Sequence, residues 1–357
     1  MELPEPRNVQ VRRAAMLFAL LATGAFTLAS FAALADGADS DGDGISDAVE
    51  AATARNLNGL GIPEGRFRVQ SISVGAAPDG HDDEFSLLFE RGTFAVEYRP
   101  RADREDGILY ELTLKRLVEV IYDGGDIGGG DIVQEWDLTN EYWAVTTVNT
   151  TTVDGGRQFR FTAYPVPEVP TSRNLTLTVT ASSRFVRTGQ ILVSPMEIKV
   201  DLSIRGWMYD APNSELALKI EVATEAQNTQ IEEQSLDEIR DWATDESQLS
   251  VSGELGSIFF SWSNTAIVDG RIAAVRTTSL APSEGGSEFF LVYGRGQVID
   301  HDSKMGVESA AFWTLVNRAN QPPPLSWNPV LYALGVAAIA GLVAATVVLS
   351  RRRRREN

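Results

Sequence analysis

Hydrophobic and polar residues alternate with a period of two over most of the chain, from residue 66 to about residue 318. The segment 108–115, ILYELTLK, is a clear case, because its residues at even-numbered positions are all large and apolar. Such alternation is typical of β-strands with one buried and one solvated face. The same pattern predicts further strands at 67–72, 85–98, 142–152, 157–164, 175–179, 197–208, 216–222, 256–262, 266–279 and 289–293.

Turn residues separate these strands and indicate how they connect. An Asp-Gly pair lies between apolar or β-branched runs at 153–156 and at 268–271, which is the strongest short-range signal for a β-hairpin. Short turns and almost no helical periodicity predict an all-β fold, a large antiparallel β-sandwich ectodomain over residues 63–318. One helix is predicted at 234–243, where Ser235 and Glu238 form a capping box.

Two proline-rich segments bear on the domain organisation. The segment 164–170, YPVPEVP, is either a stiff linker that splits the sandwich at 165–170 or an edge that must not pair. Similar strand patterns on both sides of it favour one large domain. The run Pro322-Pro323-Pro324 indicates a spacer over 319–329 that follows the last strand.

The first 35 residues are typical of an export signal. A leader with three arginines precedes an uncharged apolar run at 14–33, and Ala33-Leu34-Ala35 fits a signal-peptidase site. The pattern predicts a signal peptide at 1–35. An uncleaved signal anchor is the alternative, because an apolar run of about 20 residues is nearly long enough to cross a bilayer.

The C-terminal segment predicts a membrane anchor. Residues 330–350 carry no charge, and five arginines follow at 351–355. An uncharged helix of this length spans the hydrocarbon layer, and the arginines indicate the cytoplasmic side. We expect a transmembrane helix at 330–350, a cytoplasmic tail at 351–357 and the bulk of the chain outside the cell membrane. A sorting tail that is cut off is an alternative, and small residues at every fourth position of the helix suggest a homodimer.

Charge and cysteine content narrow the function classes. The chain has a net charge of −18, and removing the leader (+1) and the tail (+4) leaves −23 for the segment between them. An acidic surface disfavours nucleic acids and favours cations. The chain has no cysteine, which excludes disulfides and thiolate chemistry, and only four of its 31 basic residues are lysine. These features favour a prokaryotic source.

A dense acidic motif, DSDGDGISDAVE, lies at residues 39–50. Calcium takes six to eight oxygen ligands, and a 12-residue loop supplies them from alternate positions. Gly44 stands at position 6, where the chain must turn sharply. Without a cation the acidic side chains would repel one another. The motif therefore predicts a calcium site with these ligands, Ile45 through its carbonyl group: Asp39, Asp41, Asp43, Ile45, Asp47 and Glu50.

This motif resembles the EF-hand loop and, more closely, the calcium-binding repeats of thrombospondin type 3. It differs from paired EF-hands at position 8, where Ser46 replaces the usual aliphatic residue, and no helix precedes it if the signal is cleaved. The resemblance implies a single loop, a following helix near residues 47–55 and a calcium-binding segment at 36–62. Its expected dissociation constant is about 10⁻⁴ to 10⁻³ M.

Few other residues indicate chemistry. The two histidines lie in GHDDE and DHDSK, so a divalent-metal group of His81, Asp82, Asp83, His301 and Asp302 is one hypothesis and exposed loop histidines the other. The glycine-rich segment 123–131, DGGDIGGGD, favours a mobile hairpin tip over a phosphate or calcium site.

Together these features predict a single-pass cell-surface protein. Its acidic ectodomain would serve adhesion, recognition of an extracellular protein or glycan, or surface structure, with calcium as its ligand. The sequence has no G-x-S-x-G, P-loop or H-E-x-x-H motif. A membrane-anchored, carbohydrate-active enzyme is the alternative.

Overall fold

The computed structural model describes residues 39–316 except for 41, 43, 74–82, 101–106, 154–155, 169–170, 189–190, 225–227, 235–245, 254–255, 284–285, 310–311 and 313. These residues include the helix α1 (Asp47–Thr53), and residues 312 and 314–316 are also helical. The strands are β1 (Arg55–Ile62), β2 (Arg66–Ser73), β3 (Glu84–Glu90), β4 (Thr93–Arg99), β5 (Ile108–Val120), β6 (Ile132–Asp137), β7 (Tyr142–Val153), β8 (Gly156–Val166), β9 (Asn174–Ser182), β10 (Val186–Thr188), β11 (Ile191–Val193), β12 (Glu197–Arg205), β13 (Glu215–Thr224), β14 (Asn228–Gln234), β15 (Glu246–Gly253), β16 (Gly256–Ser263), β17 (Thr265–Val268), β18 (Arg271–Ala274), β19 (Arg276–Thr277), β20 (Ala281–Ser283), β21 (Gly286–Tyr293) and β22 (Val298–Glu308).

The strands form two ten-stranded antiparallel sheets and one small two-stranded sheet. Sheet I has the order β1-β2-β3-β4-β5-β13-β21-β19, with β6 paired to β5 and β20 to β21. Sheet II has the order β14-β15-β16-β22-β12-β9-β8-β7, with β17 paired to β22 and β18 to β17. Strands β10 and β11 pair with each other. The prediction of an all-β, antiparallel fold is confirmed.

The two large sheets pack face to face through aromatic and aliphatic side chains. Phe67 of sheet I stacks on Phe161 of sheet II with ring centroids 4.5 Å apart, and Phe289 packs on Trp262 at 5.2 Å. These four side chains are completely buried. Alternation along each strand directs every second residue into this core, as the period of two requires.

The proline-rich segment near residue 165 does not separate two sheets. Strands β8 and β9 flank it and are neighbours in sheet II, where Ala163 lies opposite Leu177. Residues 37–317 form one compact unit, and the chain passes several times between the two sheets. Sheet I already begins at Arg55, ahead of the expected boundary at residue 63.

Several predicted elements differ from the structure. The run 266–279 is three strands, because the chain leaves sheet II after β18 and enters sheet I at β19. The run 85–98 is two strands, β3 and β4, joined by a tight turn in which Arg91 and Gly92 have φ of 51° and 77°. Of the predicted helix at 234–243, Gln234 ends β14 and the remainder lies outside the described residues.

The sandwich has two distinct ends. At the basal end, Glu197 of β12 lies opposite Gly306 of β22, and α1 and Ser309 lie nearby. At the distal end, Arg205 lies opposite Val298, next to the β12–β13 and β21–β22 connections. The first and last described segments of the chain therefore both lie at the basal end.

No helix in the described part of the chain is long and apolar enough to span a membrane. The two apolar segments for which membrane roles are predicted, 14–33 and 330–350, lie outside the described residues. The signal peptide and the anchor stay predictions.

Candidate functional site

The acidic loop at the N-terminal edge of the domain turns around the carboxylate of Asp39. Its Oδ1 accepts a hydrogen bond from the backbone N–H of Gly42 (2.9 Å), and its Oδ2 accepts one from that of Gly44 (3.0 Å). Both glycines have positive φ, 74° and 93°, a conformation that side chains with a Cβ rarely adopt. Asp39, at the first position of the loop, therefore fixes the turn by accepting hydrogen bonds from both glycines.

Helix α1 begins where the loop ends. Ser46 is its N-cap, and its hydroxyl accepts a hydrogen bond from the backbone N–H of Val49 (3.4 Å). The Asp47 carboxylate accepts bonds from the backbone N–H (2.9 Å) and the hydroxyl (2.7 Å) of Ser40, which lower the pKa of Asp47. Capping explains why position 8 of the loop is serine. The sequence did not signal this role, because the residue three positions after Ser46 is Val49 and not the Glu or Gln of a capping box.

The candidate ligands that the structure describes lie at different depths. Asp39 is exposed and Asp47 partly exposed, whereas Ile45 and Glu50 are buried. Asp41 and Asp43, the ligands expected at positions 3 and 5, lie outside the described residues. No group of three or more acidic or histidine side chains positioned to hold a metal occurs among the residues that are described. The calcium site therefore stays a prediction.

A buried polar network joins the end of α1 to the core. The Arg55 guanidinium pairs with the Asp83 carboxylate (2.7 Å) and donates to the hydroxyl of Ser71 (2.8 Å). The hydroxyl of Tyr98 lies 3.4 Å from the same carboxylate and 2.7 Å from the hydroxyl of Ser309. Burial, and then the charge of Asp83, raises the pKa of Tyr98 to about 12. The network connects both ends of the described chain.

His301 lies inside the sandwich, and the prediction of an exposed loop histidine is wrong for this residue. Its side chain is 3% exposed, its Nε2 is 2.8 Å from the carbonyl oxygen of Ser263, and its Nδ1 is 3.1 Å from the hydroxyl of Tyr293. Burial lowers the pKa of His301 to about 4. Since both ring nitrogens are engaged, His301 cannot join Asp83 in a metal group; His81 and Asp82 lie outside the described residues.

A pair of carboxyl groups lies on the outer face of sheet II. Asp201 and Asp302 are directly opposite each other on β12 and β22. The ammonium group of Lys199 bonds to both of them, to Asp302 at 3.1 Å. Burial, and then the hydrogen bond with Asp302, raises the pKa of Asp201 to about 6. The sequence did not single out this pair, because the two residues meet only through the strand register.

The glycine-rich segment 123–131 joins neighbouring strands β5 and β6, as a hairpin connection should. It is nevertheless packed, because Ile127 contacts a small apolar cluster on the outer face of sheet I. That cluster contains Val118, Val120, Ala217, Phe290 and Val292. The glycines and Asp123 and Asp126 around Ile127 are exposed, and the mobility of the tip stays a prediction.

Comparison with known proteins gives no family for this chain. No protein-family model matches the sequence, and no curated protein is similar to it. A function is therefore proposed from the acidic loop, its attachment to the sandwich and the two ends of the chain.

Proposed function

We propose that the protein is a single-pass surface protein whose acidic β-sandwich is held outside the cell and binds calcium through residues 39–50. The observation that carries this proposal is the turn around Asp39, whose carboxylate accepts from two backbone N–H groups before the chain enters helix α1. The role is non-catalytic: adhesion, recognition of an extracellular protein or glycan, or surface structure.

The donor set fits a hard divalent cation. Asp39, Asp41, Asp43, Asp47 and Glu50 would supply carboxylate oxygens, and residue 45 would supply a carbonyl oxygen, in the ligand spacing of a 12-residue calcium loop. The polar N-cap and the buried Ile45 attach the loop to the sandwich. Calcium at such a single loop would serve structure and not signalling, since sensors use paired loops that open a groove.

The chain ends support attachment to the membrane through the basal end. The last described residue, Val316, follows Ser309, which belongs to the basal network. The apolar segment 330–350 and the five arginines follow only a short distance later in the sequence. An anchor there would hold the basal end towards the lipid and direct the distal end away from it.

Two measurements on the full-length chain test the proposal. Protease added to intact cells should digest the acidic domain, and a domain protected from it would contradict the proposed topology. The purified chain should bind calcium in a titration, and the double change Asp41→Ala, Asp43→Ala should abolish that binding. Asp131→Ala is the matched control, because Asp131 also accepts a glycine N–H (2.8 Å, from Gly128) but lies in the other acidic loop. Equal calcium binding by the double variant would refute the site.

A further inference from the structure

Exposed apolar side chains concentrate at the distal end of the sandwich. Nine large hydrophobic side chains are exposed in the described part of the chain, and seven of them lie on strand ends or connections of this end. Scattered single apolar residues are normal, but a concentration at one end indicates an interaction surface. The seven are Ile121, Val133, Tyr142, Val166, Met208, Ile267 and Ile272.

Three segments at this end are tied together by hydrogen bonds; we call residues 206–214, 265–274 and 294–297 the distal cluster. The Tyr209 hydroxyl donates to the Gly296 carbonyl (3.0 Å), and the Gln297 side chain donates to the Trp207 carbonyl (2.8 Å). The Asp269 carboxylate accepts from the backbone N–H of Gln297 (2.9 Å). The apolar side chains of the cluster are thus presented by a pre-organised framework, which lowers the entropy cost of binding.

A buried carboxylate fixes the loop that carries Met208. Glu119 is completely buried and accepts hydrogen bonds from the backbone N–H groups of Asp210 (3.0 Å) and Ala211 (2.8 Å) and from the hydroxyl of Ser214. Burial opposes the ionisation of Glu119, but these bonds outweigh it and lower its pKa. Met208 nevertheless remains 65% exposed. Its exposure is therefore a property of an ordered loop.

Strand β18 is a free edge at the distal end of sheet II. Asp269 and Gly270 have φ of 49° and 78°, as the two central residues of a type I′ turn do, and they join β17 to β18. Ile267 and Ile272 face each other across this hairpin and are 49% and 80% exposed. No strand in the described part of the chain pairs with the outer edge of β18. An edge of this kind accepts a further strand.

The net charge of the distal cluster indicates which partner binds there. Its three segments contain two arginines, Arg271 and Arg295, and two aspartates, Asp210 and Asp269, so their net charge is 0 in a chain of −18. Two copies of so acidic a protein repel each other least where the local net charge is zero. A free edge strand is also self-complementary, because two β18 strands can pair antiparallel about a two-fold axis.

We propose that the distal cluster is a homophilic contact, in which β18 of one copy pairs antiparallel with β18 of a second copy and buries Ile267 and Ile272. This inference rests on the proposed function for one point, the anchoring of the basal end. With that end at the membrane, the paired copies belong to two apposed membranes, and the protein is an adhesin that recognises itself.

Vesicle bridging tests this inference with the full-length chain. The chain is reconstituted into phosphatidylcholine vesicles of two colours, with outward domains verified by protease, and two-colour coincidence is counted. We expect protein-bearing vesicles to bridge each other and to leave bare vesicles free. Bridging should strengthen with added salt, because salt screens the repulsion between the acidic domains.

Matched variants locate the contact. Ile272→Asp and Ile267→Asp should each reduce bridging at least tenfold. Leu109→Asp is the control, because Leu109 is 46% exposed at the basal end and the change adds the same charge; it should bridge like the original chain. Equal unfolding temperatures verify that the variants are folded.

Three outcomes would overturn the homophilic contact: no bridging by the original chain, capture of bare vesicles, or loss of bridging in Leu109→Asp alone. Capture of bare vesicles would identify a lipid-binding surface instead. The protease test on intact cells decides the proposed function separately, since an outward domain that fails to bridge contradicts only the homophilic contact.

Discussion

At neutral pH the buried His301 is uncharged, because burial lowers its pKa to about 4. In the unfolded chain the pKa of histidine is about 6.5, so the unfolded state binds the proton first as the pH falls. The free energy of unfolding should therefore decrease between about pH 6.5 and pH 4, by roughly 3 kcal/mol in total for this group. Urea unfolding across this range measures the decrease.

The variant His301→Gln provides the comparison, since glutamine keeps polar atoms in the core and does not titrate. Asp201 has the opposite effect on the free energy of unfolding. Its pKa is raised to about 6 in the folded state, so the folded state binds the proton first, and the free energy of unfolding increases as the pH falls through 6. The difference between the original chain and the variant isolates His301. Parallel pH curves for the two proteins would contradict a buried neutral histidine.

Alanine substitutions at Gly65 and Gly270 compare backbone strain with steric overlap. A side chain would strain the backbone at both positions, but it would also overlap a neighbouring atom only at Gly65. Both have similar φ, 74° and 78°, but a Cβ on Gly65 would overlap the carbonyl oxygen of Trp143, whereas one on Gly270 would meet open space. Gly65→Ala should therefore destabilise the domain by about 3 kcal/mol or more, and Gly270→Ala by about 1 kcal/mol. Urea midpoints measure both, and equal losses would show that the overlap is relieved without cost.

Among the elements, clear alternation predicted most of the long strands, but not β1, β6, β14, β15 or β22. Strand β22 was missed because its inward residues include the polar His301 and Ser303, and β1 was missed because it combines two glycines with polar residues and few apolar ones. The calcium-type loop was recognisable because its candidate ligands lie within 12 residues. Its attachment through Arg55 and Asp83 was not, because the two residues are 28 positions apart and meet only in the folded sheet.

Strand register also explains where the rare lysines lie. All four occur on interior strands of the two sheets, β5, β12, β13 and β22. Each has a carboxylate partner on a neighbouring strand: Lys115 with Glu221 (3.0 Å), Lys199 with Asp302 (3.1 Å), Lys219 with Glu288 (2.8 Å) and Lys304 with Glu197 (3.8 Å). The partly exposed pairs of Lys115 and Lys219 each contribute less than about 1 kcal/mol. Lys199 and Lys304 are largely buried, so desolvation offsets the attraction in their pairs. The four pairs therefore indicate register specificity more than stability.

At the scale of the whole molecule, the two ends of the sandwich carry different chemistry. The basal end contains the acidic loop, the Arg55–Asp83 pair and the exit of the chain towards residue 330. The distal end has hydrogen-bonded connections with exposed apolar residues, and the three segments of the distal cluster have a net charge of zero. This division follows from topology, because an antiparallel sandwich places alternate connections at opposite ends. The proposed membrane attachment and the proposed homophilic contact would therefore use separate loops.

Calcium should stabilise the entire domain, because the loop is continuous with structure that folds as one unit. Ile45 and Val49 are buried at the start of α1, and Arg55 enters the core network directly after it. A ligand that binds only the folded state adds RT ln(1 + [L]/Kd), which at 10 mM calcium and the expected affinity is about 1.4 to 2.7 kcal/mol.

The measurement is thermal unfolding of the full-length chain with and without 10 mM calcium, followed by the circular dichroism of the sheets. Magnesium at the same concentration is the ionic control and should give a smaller shift, because it dehydrates reluctantly and demands octahedral geometry. Asp41→Ala with Asp43→Ala should remove the calcium shift and any smaller magnesium shift that arises at the loop. A calcium shift that survives in this variant would assign the stabilisation to another acidic surface, and no shift in the original chain would mean that the loop opens independently of the sandwich.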